Sequence, residues 1–416
     1  MQFARKGRSL LIFVSAVMFA LSAELAAAQK ETVLHGFTGS PDGANAQSSA
    51  LLPFNGSLYG VTEFGGAYNH GTVFQLTNPS EGWVENILYN FTGASDGSYP
   101  IGALIADKAG NLYGETDSGG SQNAGVVFKL TNSGGGWEET VLHDFGSSLD
   151  GANPQGPLVF DSHGNLFGTT VLGGDSNEGT VFELSLVNGA WTETVLHSFG
   201  GTNDGMFPYG GLALDAKGNV YGTTAAGGAN LCIGLGCGVV FELVAASGWS
   251  ERILHQFAGG SDGMDPNPQL VMDRSGNLYG STLYGGGLGQ CAAGIVTVSC
   301  GTIYELSRGT NGVWTESILH RFSGGTGGSE PNSPLIFDTA GDLYGETAQT
   351  SASDGALFGL TPLSNGHWAY KLLFGFTGVD GTNPEGGLRV APDGTLYGTT
   401  IYGGASNYGV VFSFKP

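Results

Sequence analysis

Six carboxylates stand at one recurring place in the chain: Asp42, Asp96, Asp150, Asp204, Asp262 and Asp380, each followed by Gly. Carboxylate oxygens are hard ligands, so a ring of them would attract a divalent cation such as Ca²⁺, a sugar or a basic protein surface. Asp-Gly is equally a turn dipeptide, and one copy of the segment carries Gly327-Gly328 instead. Five His (His35, His143, His197, His255 and His320) recur in Leu-His-x-Phe and offer imidazole to a metal. Four Cys fall in two close pairs, Cys232 with Cys237 and Cys291 with Cys300. They suit disulfides in an oxidising compartment or a four-thiolate zinc site. The chain has no H-E-x-x-H, Walker A or dinucleotide fingerprint. No residue is assigned a catalytic role, because a catalytic residue should break the repetition rather than follow it.

The elements that position these groups repeat. A Leu-Tyr-Gly triplet or a close variant recurs around Tyr59, Tyr113, Phe167, Tyr221, Tyr279, Tyr344 and Tyr397, spaced 54, 54, 54, 58, 65 and 53 residues apart. Each unit holds four short β-branched and aromatic runs separated by Gly, Asn and Asp, with no sustained helical period. Gly (75 of 416) and Pro (15) are abundant and charged residues make up 12%, which argues against a mostly helical chain. Seven such units predict an all-β fold, a seven-bladed β-propeller of four-stranded blades. A β-solenoid with two rungs per unit is the competitor, and it would need capping segments that the sequence does not show. Six units open their last strand with Trp, at Trp83, Trp137, Trp191, Trp249, Trp314 and Trp368. The first copy starts just past that place, so residues 31–37 should complete the last blade beside Gly409–Phe414 and close the ring.

This architecture weighs the candidates. With strands ~4.8 Å apart, the outermost strand stands ~14 Å outside the innermost, so the five His cannot converge on one ion and are expected to pack. The six Trp are expected to anchor packing. Asp107, Asp161, Asp215 and Asp273 in Asp-x-x-Gly-Asn are expected to form turns. The Asp-Gly segments lead from an outer strand to the next inner strand. Their carboxylates are therefore expected around the central opening. Cys232–Cys237 and Cys291–Cys300 are the expected disulfides, because each closes a short insertion. From the Thr after Leu-Tyr-Gly to the next strand, blade three needs 9 positions (Thr170 to Gly179), blade four 14 (Thr224 to Gly238) and blade five 19 (Thr282 to Gly301). Ligand contact is expected on the face carrying these loops and the Asp-Gly segments, near blades four and five.

The string Gly164-Asn165-Leu166-Phe167-Gly168-Thr169-Thr170, with Gly173-Gly174 and Gly179 to Leu184, resembles the GloVer tandem repeat of exported bacterial proteins. Equivalent strings cover residues 30–416. The resemblance implies propeller-like repeats and export, and brings no assigned chemistry. Many such proteins carry a C-terminal anchor, which is not seen after Phe414. Unit six departs from the pattern at Thr347 to Ser351, which lacks the Gly-Gly pair.

Arg5, Lys6 and Arg8, the apolar run Leu10 to Leu21 and Ala26-Ala27-Ala28 read as a signal peptide, residues 1–28, cleaved after Ala28. Residues 29–416 then form one secreted or periplasmic domain without a membrane span. Thirty-six acids against 14 bases give a net charge of −22, which excludes nucleic acid as a partner. The expected protein is a non-enzymatic, monomeric binding module for a glycan or a protein, with no cofactor unless a divalent ion joins the Asp residues. The alternative is a metal-dependent hydrolase or lyase with acidic residues at the central axis, and a third reading is a structural envelope protein.

Overall fold

A computed structural model describes residues 30–416, apart from 48–49, 80–81, 147–148, 202, 231, 233, 267, 294–295 and 350–352. The expected signal peptide and part of the unit-six departure lie outside the described residues. Seven antiparallel sheets, each with a path of four strands, succeed one another along the chain, and no α-helix occurs among the described residues. In blade three the sheet takes a fifth strand, Ala152–Pro154, which pairs beside Val159–Phe160. The ring closes between the chain ends as expected. Lys30–Gly36 pairs antiparallel with Val410–Lys415, from Lys30 opposite Lys415 to Gly36 opposite Val410, and joins Leu396–Thr399 and Arg389–Val390 in one sheet.

Burial between blades holds the ring together. One cluster takes Leu158, Leu166, Phe182 and Leu184 of blade three with Tyr113, Val127 and Phe145 of blade two, and the same set recurs around the ring. Each fully buried Phe or Leu contributes roughly 1.5–3 kcal/mol relative to exposure. The Gly of Leu-Tyr-Gly is part of this packing. Gly168 pairs with Phe182 across the ladder, and a Cβ there would come within 2.5 Å of the Phe182 ring. Five of the six Trp lie edge-on to the Tyr or Phe of the preceding blade, as in Tyr59–Trp137, Phe167–Trp249 and Tyr221–Trp314, and Trp191 packs against the blade-two and blade-three core. They are packing anchors, as expected. The Asp-x-x-Gly-Asn segments are turns: Asp107 accepts from the Ala109 and Asn111 amides, and Asp161, Asp215 and Asp273 repeat the pattern.

A β-bulge interrupts every outermost strand at the Leu of Leu-His-x-Phe. In blade three Phe182 faces Val195 and Val181 faces His197, so Leu196 has no partner, and the other six strands skip the equivalent Leu. A bulge re-aims the side chains that follow it. Here it turns the His toward the seam, the gap between adjacent blades, edge-on to the Phe two residues later, with centroids 4.7 Å apart for His197–Phe199.

The Asp-Gly crossovers and the loops between second and third strands emerge on one face. Gly43-Ala44 pairs with Phe64-Gly65, and Gly205-Met206 with Ala226-Gly227. Both disulfides sit on this face with the expected connectivity, Cys232–Cys237 and Cys291–Cys300, and no described Cys is free.

Candidate functional site

At the central axis, on the inner edges of the blades, lies a cavity of about 210 Å³. It is reached five residues after each Asp-Gly Asp, or after Gly327 in unit six, by Gln47, Ile101, Gln155, Tyr209, Asn332 and Glu385, with Asn267 outside the described residues. Gln269 and Arg389 complete the polar lining. The flanking Leu of this segment is the same in all seven units (Leu51, Leu104, Leu158, Leu212, Leu270, Leu335, Leu388), yet the axial residue takes five different types. Packing therefore fixes the Leu and leaves the axial residue free to serve a ligand. Asn332 Nδ2 donates to Glu385 Oε2 at 3.0 Å, and Gln155 Nε2 donates to Asp117 Oδ1 at 2.7 Å. Burial raises the Glu385 carboxyl above its usual range, although the bond from Asn332 opposes that shift.

A second cavity of about 230 Å³ opens beside the first, between blades four and five on the disulfide face. Phe207, Leu235, Met264, Tyr284 and the Cys232–Cys237 loop form an apolar cup around Asp265. Phe207 and Tyr209 stand two residues apart, so one short segment borders both cavities. Asp265 replaces an Asn found at the same left-handed position in other blades (Asn45, Asn153, Asn383). Its Oδ1 is buried with no hydrogen-bond partner among the described residues, and burial pushes the carboxyl up to about 7. The cup lies where the long loops pointed, near blades four and five.

The six Asp-Gly carboxylates do not ring the axis, and this corrects the expectation. Each Asp folds back onto the end of an outermost strand, as where Asp204 comes 3.3 Å from His197 and Asp96 accepts from Tyr89. Asp42, Asp96, Asp150, Asp204, Asp262 and Asp380 therefore stay at the outer end of six different seams. Five of them have a turn role there. Asp42 Oδ2 accepts from the Thr38 amide at 2.9 Å, Asp96 from Thr92, Asp204 from Gly200, Asp262 from Ala258 and Asp380 from Thr377. The following Gly is needed because a Cβ on Gly151 would come within 2.6 Å of Thr170.

Each seam also gathers two further groups. His197 Nε2 is 3.3 Å from Asp204 Oδ1 and 3.7 Å from Glu251 Oε1 of the next blade. His255 is 3.3 Å from Asp262 and 3.8 Å from Glu316, and His35 is 3.6 Å from both Asp42 and Glu85. His143 lies 3.5 Å from Asp150, with Glu193 close enough to feel both charges. Tyr89 OH donates to Asp96 in place of a His. The five His thus serve separate seams, in agreement with the distance argument, but four of them also face carboxylates. Within each pair the carboxyls diverge. Burial and then Asp42 push Glu85 up to about 9, and burial and then Asp262 do the same for Glu316. For Asp262, burial is outweighed by hydrogen bonds from His255 and Glu316, which hold it below the usual range.

Sequence reading missed the Glu residues. They follow each Trp by two positions (Glu85, Glu139, Glu193, Glu251, Glu316), with Glu31 at the same place in the first copy and Tyr370 in unit six. The signal was the recurrence of an acid on a strand whose other polar positions vary.

The comparisons fit this architecture. The model for the Gloeobacter/Verrucomicrobia repeat matches residues 14–235, 168–296 and 234–416. No curated protein matches the chain. Among solved structures it is similar to a putative 6-phosphogluconolactonase from Bacteroides uniformis ATCC 8492, with 15% identity, TM-score 0.52, and 82% of this chain and 88% of that one covered. It is also similar to an ulvan lyase described as a new polysaccharide lyase family, with 10% identity, TM-score 0.52, and 92% and 95% covered. At these identities the likeness concerns the propeller fold. The chain belongs to the Gloeobacter/Verrucomicrobia repeat family.

Proposed function

We propose that this protein is an exported, non-enzymatic binding propeller that takes a carbohydrate at the axis, on the face carrying the disulfide loops. The observation that carries the reading is the axial cavity, where a strict repeat gives up its repetition. Gln155, Tyr209, Gln269, Asn332, Glu385 and Arg389 present planar amide, carboxyl and guanidinium groups around one aromatic ring. Such a set can donate to and accept from ring hydroxyls while Tyr209 offers an apolar face. The neighbouring cup, with Asp265 at its wall, would extend the contact toward a second sugar or an amine-bearing substituent. Two disulfides and the lack of a long apolar helix among the described residues are compatible with an extracellular or periplasmic setting. The metal-dependent reading needs a ligand set at the axis. Among the described residues, the groups of His, Asp and Glu close enough to share an ion lie at the seams instead.

A glycan array probed with the purified chain and with Tyr209→Ala and Arg389→Ala tests this. Binding to a restricted set of glycans, lost in both variants with the fold intact, is the expected result. Unchanged binding in the variants, or no glycan bound by the parent chain, would reject it.

A further inference from the structure

We propose that three of the seams, His35–Asp42–Glu85, His197–Asp204–Glu251 and His255–Asp262–Glu316, are sites for a divalent transition-metal ion such as Zn²⁺ that joins adjacent blades. This goes beyond the glycan reading and does not depend on it.

Geometry is the first support. One nitrogen and two carboxylate oxygens lie within 4.8 Å of one another in each group. The His-to-carboxylate separations run from 3.3 to 3.8 Å. Bonds of ~2.1 Å to a tetrahedral ion place neighbouring ligands ~3.4 Å apart, so the three atoms already stand near three corners. Hydrogen bonding accounts for only part of the spacing: His197 and His255 reach their Asp at 3.3 Å. Among the described residues, His35 Nε2 and the buried oxygens Glu85 Oε1, Glu251 Oε1 and Glu316 Oε1 have no hydrogen-bond partner. Buried polar atoms are normally paired, and each exception calls for an explanation.

Charge is the second support. Once an ion displaces the proton of the Glu, two carboxylates and a neutral imidazole carry −2, which one divalent ion cancels in a site that is mostly closed to solvent. Imidazole with carboxylate favours zinc and its neighbours over Ca²⁺, which prefers six to eight oxygens. The third support is that the imidazole is held in place. The bulge at Leu34, Leu196 and Leu254 turns each His into the seam, and the ring lies edge-on to Phe37, Phe199 or Phe257 at 5.0, 4.7 and 4.6 Å. The three ligands come from two blades, His and Asp from one side and Glu from the other. An ion there would tie the closing strand Lys30–Gly36 to blade one.

The molecule supplies its own control. The seam of Asp96 and Glu139 carries Tyr89 where the others carry His, so Tyr fits beside an intact carboxyl pair. The purified chain is stripped with EDTA, reloaded with Zn²⁺, desalted and assayed for bound metal and melting temperature, beside the triple variant His35→Tyr/His197→Tyr/His255→Tyr. A second triple variant, Glu85→Gln/Glu251→Gln/Glu316→Gln, removes one ligand charge per site while keeping shape. The parent should retain about three zinc ions, matching the three groups, and melt at a higher temperature with zinc. Both variants should lose the bound zinc and the zinc-dependent rise while their circular dichroism stays that of the parent. Less than one zinc per parent chain would overturn the proposal and leave each carboxyl pair holding a proton. Zinc retained by both variants would also overturn it. If one variant fails to fold, the other decides.

Discussion

The seam between blades four and five and the seam between blades five and six begin from the same residue and end differently. At the first, His255 faces Asp262 and Glu316. At the second, His320 is stacked on Tyr370, with centroids 3.8 Å apart and planes 6° from parallel, and Tyr370 OH donates to the Gly327 carbonyl at 2.9 Å. Gly327 stands where the Asp would be and Tyr370 where the Glu would be. Both acids have gone together, and an aromatic ring fills their place. At the seam holding Phe374 the reverse holds: the His is missing, while Asp380 still raises Glu31 to about 7, after burial. The acids therefore act as a unit, and the His is a separable third member. The electrostatics follow: burial alone pulls His320 down to about 4, whereas Asp204 and Glu251 outweigh burial and raise His197.

The largest expected effect comes from opening the ring. Deleting residues 30–36 removes the outermost strand of blade seven, and with it His35 and the whole seam to blade one. Melting temperature should fall by about 10 °C or more, since several kcal/mol of burial and strand pairing are lost. A drop no larger than that of a surface point mutant would show that closure does not rest on this strand.

Converting one seam into the other comes next. Glu316→Tyr or Asp262→Gly alone should each cost about 1–3 kcal/mol, because each leaves a buried partner unmatched. The double variant should cost less than the sum, with a coupling of about 1 kcal/mol. Strict additivity in urea unfolding would contradict the idea that the two acids are one unit.

Farther in along the seams, Thr169, Thr223 and Thr399 donate to the next blade through their hydroxyls, reaching Gly210, Pro268 and Ala46 carbonyls. Glu346 occupies that position in blade six, fully buried, accepting from the Gly387 amide, and burial pushes it up to about 8. The folded chain therefore holds a proton there that the unfolded chain releases near the usual carboxylate pKa. Its contribution is complete below about 4.5 and fades as pH rises toward 8. Glu346→Gln should stabilise the protein by on the order of 2–3 kcal/mol at pH 8 and leave pH 4 nearly unchanged. A uniform shift across pH would place the carboxyl outside this role.

The smallest effect belongs to His320→Phe. His320 is held neutral in the fold, so it loses stability as pH falls from its ordinary 6.5 toward 4. The variant should match the parent at pH 7.5 and resist acid slightly better, as followed by thermal melts at pH 5. Equal acid sensitivity would mean that the stacked ring is not titrating.

These contrasts also mark what the sequence could convey. The blades, the closure through Lys30–Gly36, both disulfides and the Asp-x-x-Gly-Asn turns were legible, because each follows from local spacing or from a period. The Glu partners were not, because Asp42 and Glu85 are 43 positions apart in different repeat units and meet only across a seam. The expected ring of carboxylates failed for a related reason. An outer-to-inner crossover spans ~14 Å, and Asp262 lies at its beginning while the axial residue lies five positions on. The axis itself was hidden because Gln155, Tyr209 and Glu385 have no motif. What marks them is that they differ at a place where everything around them repeats.

A crystal structure of the chain soaked with a glycan from the array tests the axial cavity most directly. Sugar density is expected over the Tyr209 ring, with hydroxyls in hydrogen-bond reach of Gln155, Asn332 or Glu385. Density confined to the opposite face, in the cleft lined by Phe167 and Trp249, would contradict it.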